Sequence, residues 1–273
     1  MTWLFGPLAV AACLASGLGI IRLIGRARAG QPLVPALPAN PVPWQGLDVA
    51  GLFLLFLLCQ GAAGEVLGVG ATADAIDPTP DLGPRLLANA VAMLVFTVLA
   101  ALLLRLRGAT PVSLGLRDPR PVEGLGLAVA TWVIIVPPLL AVAAFLDQFV
   151  VSYRHPVIDF LAADPSGVAV SLVLLSAVVA APIAEEFFFR RVLQGWLESR
   201  LGDRAVGVSA VAFGLAHVGH GLGWVPLIGF GLATGYLARQ RGTIVPCIIV
   251  HALFNSVSVG LLLLARPEPL PPG

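Results

Sequence analysis

Residues 168–191, VAVSLVLLSAVVAAPIAEEFFFRR, decide how this chain folds. The segment 168–180 carries no charge at all, and it runs into two adjacent carboxylates, three phenylalanines and two arginines. A helix needs roughly 17–25 mostly apolar residues to cross a bilayer. A carboxylate inside a membrane costs on the order of 2.5–3.5 kcal/mol. The segment therefore reads as a membrane helix whose inner end carries a costly acidic pair that something must offset or use.

The rest of the chain agrees with a membrane setting. Hydrophobic residues make up 58% of the 273 residues and charged residues 11%, against roughly 45–50% and 25% in soluble proteins. The fold class is all-α and polytopic. Candidate spans are 3–25, 47–70, 86–106, 124–150, 168–192, 205–219, 222–238 and 244–265, about eight in all. The sixth and seventh are short, and GHGLG between them suggests a hairpin or partly re-entrant pair. VPP at 136–138 is expected to kink the fourth span, because proline removes a backbone donor and crowds the preceding turn.

Arginine is the only basic residue apart from histidine. It gathers after alternate spans: at Arg22, Arg26 and Arg28; at Arg105, Arg107, Arg117 and Arg120; at Arg190, Arg191, Arg200 and Arg204; and at Arg239 and Arg241. The positive-inside rule makes those loops cytoplasmic and puts both termini outside. No basic tract points to nucleic acid. The Arg-only, Ala/Gly/Pro-rich composition reads as bacterial, which implies the inner membrane. Cys13, Cys59 and Cys247 read as small buried hydrophobes. No basic residue precedes the first apolar run, so the chain is expected to start with an uncleaved span. Residues 1–110 form an N-terminal membrane region, 111–266 a core, and 267–273 a Pro-rich disordered tail.

Ionisable groups within spans are candidate functional residues. Asp48 and Glu65 lie near span ends, where carboxylates reach water. His155 falls in a polar outer loop. Glu185, Glu186 and Arg190, then His217 beside His220, then His251 and Asn255, occupy three successive polar interruptions. At 1.5 Å per residue, Glu185 and His251 lie roughly 10 Å deep, and His217 and Asn255 roughly 16–18 Å. Those depths allow one cavity in the cytoplasmic half. Glu186 and Arg190 are one turn apart and can pair, leaving Glu185, about 100° round the helix, for other work. His251 and Asn255 likewise share one face. Taken singly, each has a plain structural reading: an ion-pair clamp for Glu186–Arg190, and interhelix contacts for the histidines. GFGLATG (229–235) reads as close helix packing through Gly231 and Gly235.

A glutamate with histidines and an asparagine, without a serine or cysteine nucleophile motif, fits an activated water. Glu185 would be the general base, His217 would hold and polarise the water, and His251 with Asn255 would stabilise an oxyanion. The chain lacks a His-Glu-x-x-His helix, yet Glu185, His217 and His251 could instead ligate zinc. No cofactor is favoured otherwise.

EEFFFR (185–190), FGLAH (213–217) and HALFN (251–255) resemble the three motifs of the CPBP family, which comprises type II CAAX prenyl endopeptidases and bacteriocin-processing or immunity proteins. SLGLR (113–117) resembles a short element often found ahead of that family's core. The resemblance implies an eight-helix membrane fold with a conical cavity open to cytosol and lipid. It also implies a catalytic Glu185, a supporting Glu186 partnered by Arg190, and site roles for His217, His251 and Asn255. Arg191 stands where many members carry glycine, and is expected to face the cytoplasmic boundary with little effect. The expected activity is intramembrane hydrolysis of a membrane-associated protein or peptide. The alternatives are a non-catalytic scaffold or immunity factor and a proton-coupled transporter, the last disfavoured because no repeat is evident.

Overall fold

The computed structural model describes residues 5–38, 40–68, 82–153, 156–163, 166–219 and 221–265. The 267–273 tail, His155 and His220 lie outside the described residues. Described in order are α1 (Phe5–Arg28), α2 (Gly46–Val66), α3 (Leu82–Leu106), α4 (Pro121–Phe149), α5 (Pro156–Ala163), α6 (Gly167–Leu201), α7 (Arg204–Leu215), α8 (Trp224–Arg241) and α9 (Val245–Ala265). No strand occurs among the described residues.

Among the described residues six helices, α1–α4, α6 and α9, are long and apolar enough to cross a membrane. The chain is thus an all-α polytopic membrane protein. Two of the eight expected spans fall short. With 12 residues, α7 reaches only about 18 Å, against a hydrocarbon core of roughly 30 Å. With 18 residues, α8 ends on Arg239 and Arg241, which dilute its apolar stretch. Conversely, α5 arises where the sequence suggested only a polar loop. Pro137 and Pro138 stay inside an unbroken α4.

Two compact units make up the chain, and α6 and α9 each contribute residues to both. The first unit comprises residues 1–41, 111–153 and 189–250. In it α1 and α8 pack on α4, and α7 packs on α8 and on the 194–201 end of α6. The α7–α8 contact is close because Gly231 abuts Ala210: a Cβ there would sit 2.9 Å from the Ala210 Cα. Small-residue approach of this kind lets helices associate where lipid supplies no hydrophobic drive.

Extramembrane loops of this unit are tied by buried polar side chains. Arg191, expected to have little effect, is buried. Its Nε donates to the Ser113 carbonyl at 2.5 Å and its Nη2 to the Asn40 carbonyl at 2.7 Å. The SLGLR element thus touches the residue that follows EEFFFR. Thr243 Oγ1 and the Ile244 amide both donate to the Gly115 carbonyl, at 2.8 and 3.0 Å. Gly115 has φ of 69°, and a Cβ there would lie 3.0 Å from Arg191 Cδ. Glycine is the residue that meets both demands. Arg241 is buried as well, donating to Glu123 at 2.7 Å with Asp118 at 3.6 Å. These arginines follow the positive-inside pattern in sequence, yet their local work is to pin loops.

The second unit comprises residues 42–110, 154–188 and 251–273. Here α2 packs on α3, and α3 packs along the first half of α6 and against α5. Phe53, Phe56, Phe96 and Phe188 form a ring cluster with centroid spacings of 5.3–6.1 Å. Asp48 closes a capping box at the start of α2 and pairs with Arg107 at 2.9 Å. It is a helix-end residue, as its place near a boundary suggested.

Candidate active site

The local shape of α6 sets the site. Its helix is α-type at 167–173 and 181–185 but π-type over Leu174–Ala180 and Glu186–Leu193. Such i→i+5 segments are rare, and they concentrate at functional places. In the first one, the Ala181 amide donates to the Ser176 carbonyl. An α pattern would send that amide to Ala177. The next amide in line belongs to Pro182, which has no N–H. The Ala177 carbonyl is therefore deserted by its own helix in an apolar surrounding, where an unmet backbone group is expensive. Asn255 of α9 meets it, its Nδ2 donating at 2.7 Å.

One turn earlier on α9, His251 meets the acidic pair. Its Nδ1 lies 3.0 Å from Glu186 Oε1, and its Nε2 lies 3.9 Å from Glu185 Oε2. The two carboxylates differ in surroundings. Glu186 has a fully buried side chain at 0% exposure, whereas that of Glu185 is 16% exposed and that of His251 5%. An ionised Glu186 can only accept, so Nδ1 carries the ring hydrogen and Nε2 faces Glu185. At 3.9 Å this second approach is too long for a direct hydrogen bond.

A cavity of about 350 Å³ in the second unit is lined by Val157, Val173, Ala177, Asn255, Ser258 and Leu262 among others, one helical turn along α9 from His251. Its walls are apolar apart from Asn255 and Ser258. Ala177 and Asn255, the partners of the rescued carbonyl, form part of its wall.

Arg190 and His217 belong to the first unit. Arg190 Nη1 donates to Ser209 Oγ at 3.2 Å, and its guanidinium lies 4.7 Å from the centre of the Phe213 ring. Ser209 in turn donates to the Phe189 carbonyl at 2.9 Å. His217 sits in the turn just after α7, not within a span. Its Nδ1 lies 2.8 Å from the Phe213 carbonyl. A carbonyl only accepts, so Nδ1 donates. Phe213, first residue of the FGLAH motif, is thus a hub touching Arg190, His217, Phe189 and Phe230.

Three roles in these units were missed in the sequence. Gln194 is fully buried and donates to the Gly235 carbonyl at 2.9 Å. Gln60 and Asn89 bond to one another within the second unit. Each is a polar residue inside an apolar run, which is the signal that could have marked it. Pro182 acts through the hydrogen it lacks. Of the cysteines, Cys247 is buried and donates to the Thr234 carbonyl, whereas Cys13 is exposed.

Residues 167–257, about a third of the chain, match the family model for the type II CAAX prenyl endopeptidase Rce1-like domain. The match covers all three motifs, agrees with the CPBP resemblance, and supports a CAAX-type intramembrane protease. No curated protein and no solved structure matches the chain. Among the described residues, no group of three or more His, Cys, Asp or Glu side chains is placed to hold a metal ion. Of the residues considered for zinc, Glu185 and His251 belong to the second unit and His217 to the first.

Proposed function

We propose that this protein is an intramembrane endopeptidase in which Glu185 activates water against a peptide carbonyl. The observation that carries this reading is His251 set between two carboxylates of unlike exposure. Glu186 takes the Nδ1 hydrogen and orients the ring. Glu185 is the carboxylate that water can reach, and it draws off a proton as the water oxygen bonds to the carbonyl carbon. The oxyanion is met by the second amide hydrogen of Asn255, since the first is committed to Ala177. Collapse breaks the C–N bond, and the proton held by Glu185 passes to the leaving amine. No step is routed through a metal.

The substrate in this reading is a membrane-associated protein or peptide, with an apolar stretch resting in the cavity beside Asn255. No prenyl requirement is carried over from the matched family. The loops rich in arginine face the cytoplasm, both termini lie outside, and the membrane is the bacterial inner membrane. Replacing Glu185 with Gln keeps shape and removes the base. Cleavage should fall by about 10²–10⁴-fold, the usual worth of a general base. Comparing the membrane proteomes of wild type and Glu185→Gln identifies the peptide cleaved. Unchanged cleavage of that peptide sinks the reading. Chelation should leave activity intact; stoichiometric zinc lost together with activity would restore the metal alternative. His217→Ala and Arg190→Ala test the roles implied for those residues.

The Asn255–Ala177 bond also favours a second reading, in which the motif residues only pack the helices of a scaffold or immunity factor. That reading requires Glu185→Gln to leave the phenotype intact while Glu186→Ala lowers accumulation.

A further inference from the structure

A polar chain in the second unit plays no part in the mechanism above. Gln60 of α2 donates from Nε2 to Asn89 Oδ1 at 2.9 Å, and Asn89 of α3 donates from Nδ2 to Ser176 Oγ at 3.1 Å. Ser176 is buried. Polar side chains joining membrane helices are commonly simple glue. This chain differs in where it lands. It ends on the residue whose own carbonyl takes the Ala181 amide, the one-residue shift that vacates Ala177 for Asn255. A serine hydroxyl inside a helix tends to turn back on the carbonyl four residues earlier, which bends the helix. Here the Asn89 amide donates to that hydroxyl oxygen from a neighbouring helix, tying Ser176 to α3.

We propose that Gln60, Asn89 and Ser176 are positioning residues that hold the π register at 174–180. The register aims the Ala177 carbonyl at Asn255 and so fixes the orientation of the Asn255 carboxamide. Asn89 and Ser176 then affect turnover through Asn255, with no contact to the reacting atoms. The inference rests on the peptidase reading for its effect on turnover, but its structural half stands apart from it.

The test is a double-mutant cycle using the peptide whose cleavage depends on Glu185. Ser176→Ala, a minimal change, and Asn89→Leu should each lower kcat roughly tenfold in the wild-type background. In an Asn255→Ala background the same changes should cost less than about twofold, because residues acting through one another are not additive. Equal losses in both backgrounds overturn the relay, as does no loss in the wild type. Ser176→Thr, which keeps the hydroxyl, should restore most of the rate. If Asn89→Leu fails to accumulate, the Ser176 pair carries the cycle. A second readout needs no turnover: amide exchange across 174–182 should quicken at least about tenfold in Ser176→Ala. Unchanged exchange overturns the relay whatever the activity shows. Full cleavage by Glu185→Gln removes the peptidase reading alone, and the exchange result then decides the relay.

Discussion

Asn255 carries two duties that substitution can separate. It supplies the donor that Pro182 denies to the Ala177 carbonyl, and in the proposed reaction it offers its other hydrogen to an oxyanion. Asn255→Ala should lower stability by about 1–3 kcal/mol, the cost of a buried acceptor left unmet. Pro182→Ala restores an amide hydrogen to α6, so the double variant should recover most of the melting temperature that Asn255→Ala loses. Activity should not return with it, because the oxyanion donor is still missing. Melting and cleavage measured on the same two variants check both halves. Glu185, Glu186, His251 and Asn255 could be singled out in sequence because a charge or carboxamide among apolar residues is costly enough to stand out. The order of contacts could not. Within the second unit Glu186 is met by His251, a partner 65 residues away that no local spacing announces.

The helices themselves were readable because lipid demands long apolar runs, and α1–α4, α6 and α9 follow such runs closely. The π segment at 174–180 was not, since it is bound up with Pro182 and with a side chain from α9. The bonds of Arg191 were hidden for a similar reason: its partners are carbonyls of residues 40 and 113, which no local pattern announces. Arg191→Gly should therefore do harm despite the prevalence of glycine in the resembling family. Losing charge-assisted bonds to two carbonyls should cost about 1.5–3 kcal/mol each at most, seen as a lower melting temperature. Lysine should recover only part of this, because a single ammonium cannot reproduce the fork of a guanidinium. At the α7–α8 contact, Gly231→Leu must push apart backbone already in touch with Ala210. A loss of about 1–3 kcal/mol or more is expected, the usual cost of overpacking.

At the scale of the molecule, arginine placement predicts which loops share a side of the membrane. In a cysteine-free background, single cysteines at the exposed positions Arg28 and Arg117 should react with an impermeant thiol reagent only from the inner face. Labelling from outside reverses the orientation. Residue pattern thus indicates which stretches meet lipid and which loops share a face, since both follow from bulk solvation. It does not indicate that the chain sorts into two units, each assembled from three separated stretches, because that is decided by packing among distant segments. One local detail reaches beyond this protein. A helix that lacks a hydrogen at position 182 has written a debt into its own sequence, repayable only by a donor from elsewhere in the chain. Natural relatives can be sorted by that debt. If asparagine at 255 survives in chains that have replaced the proline, its retention speaks for chemistry; if the two vanish together, it speaks for architecture.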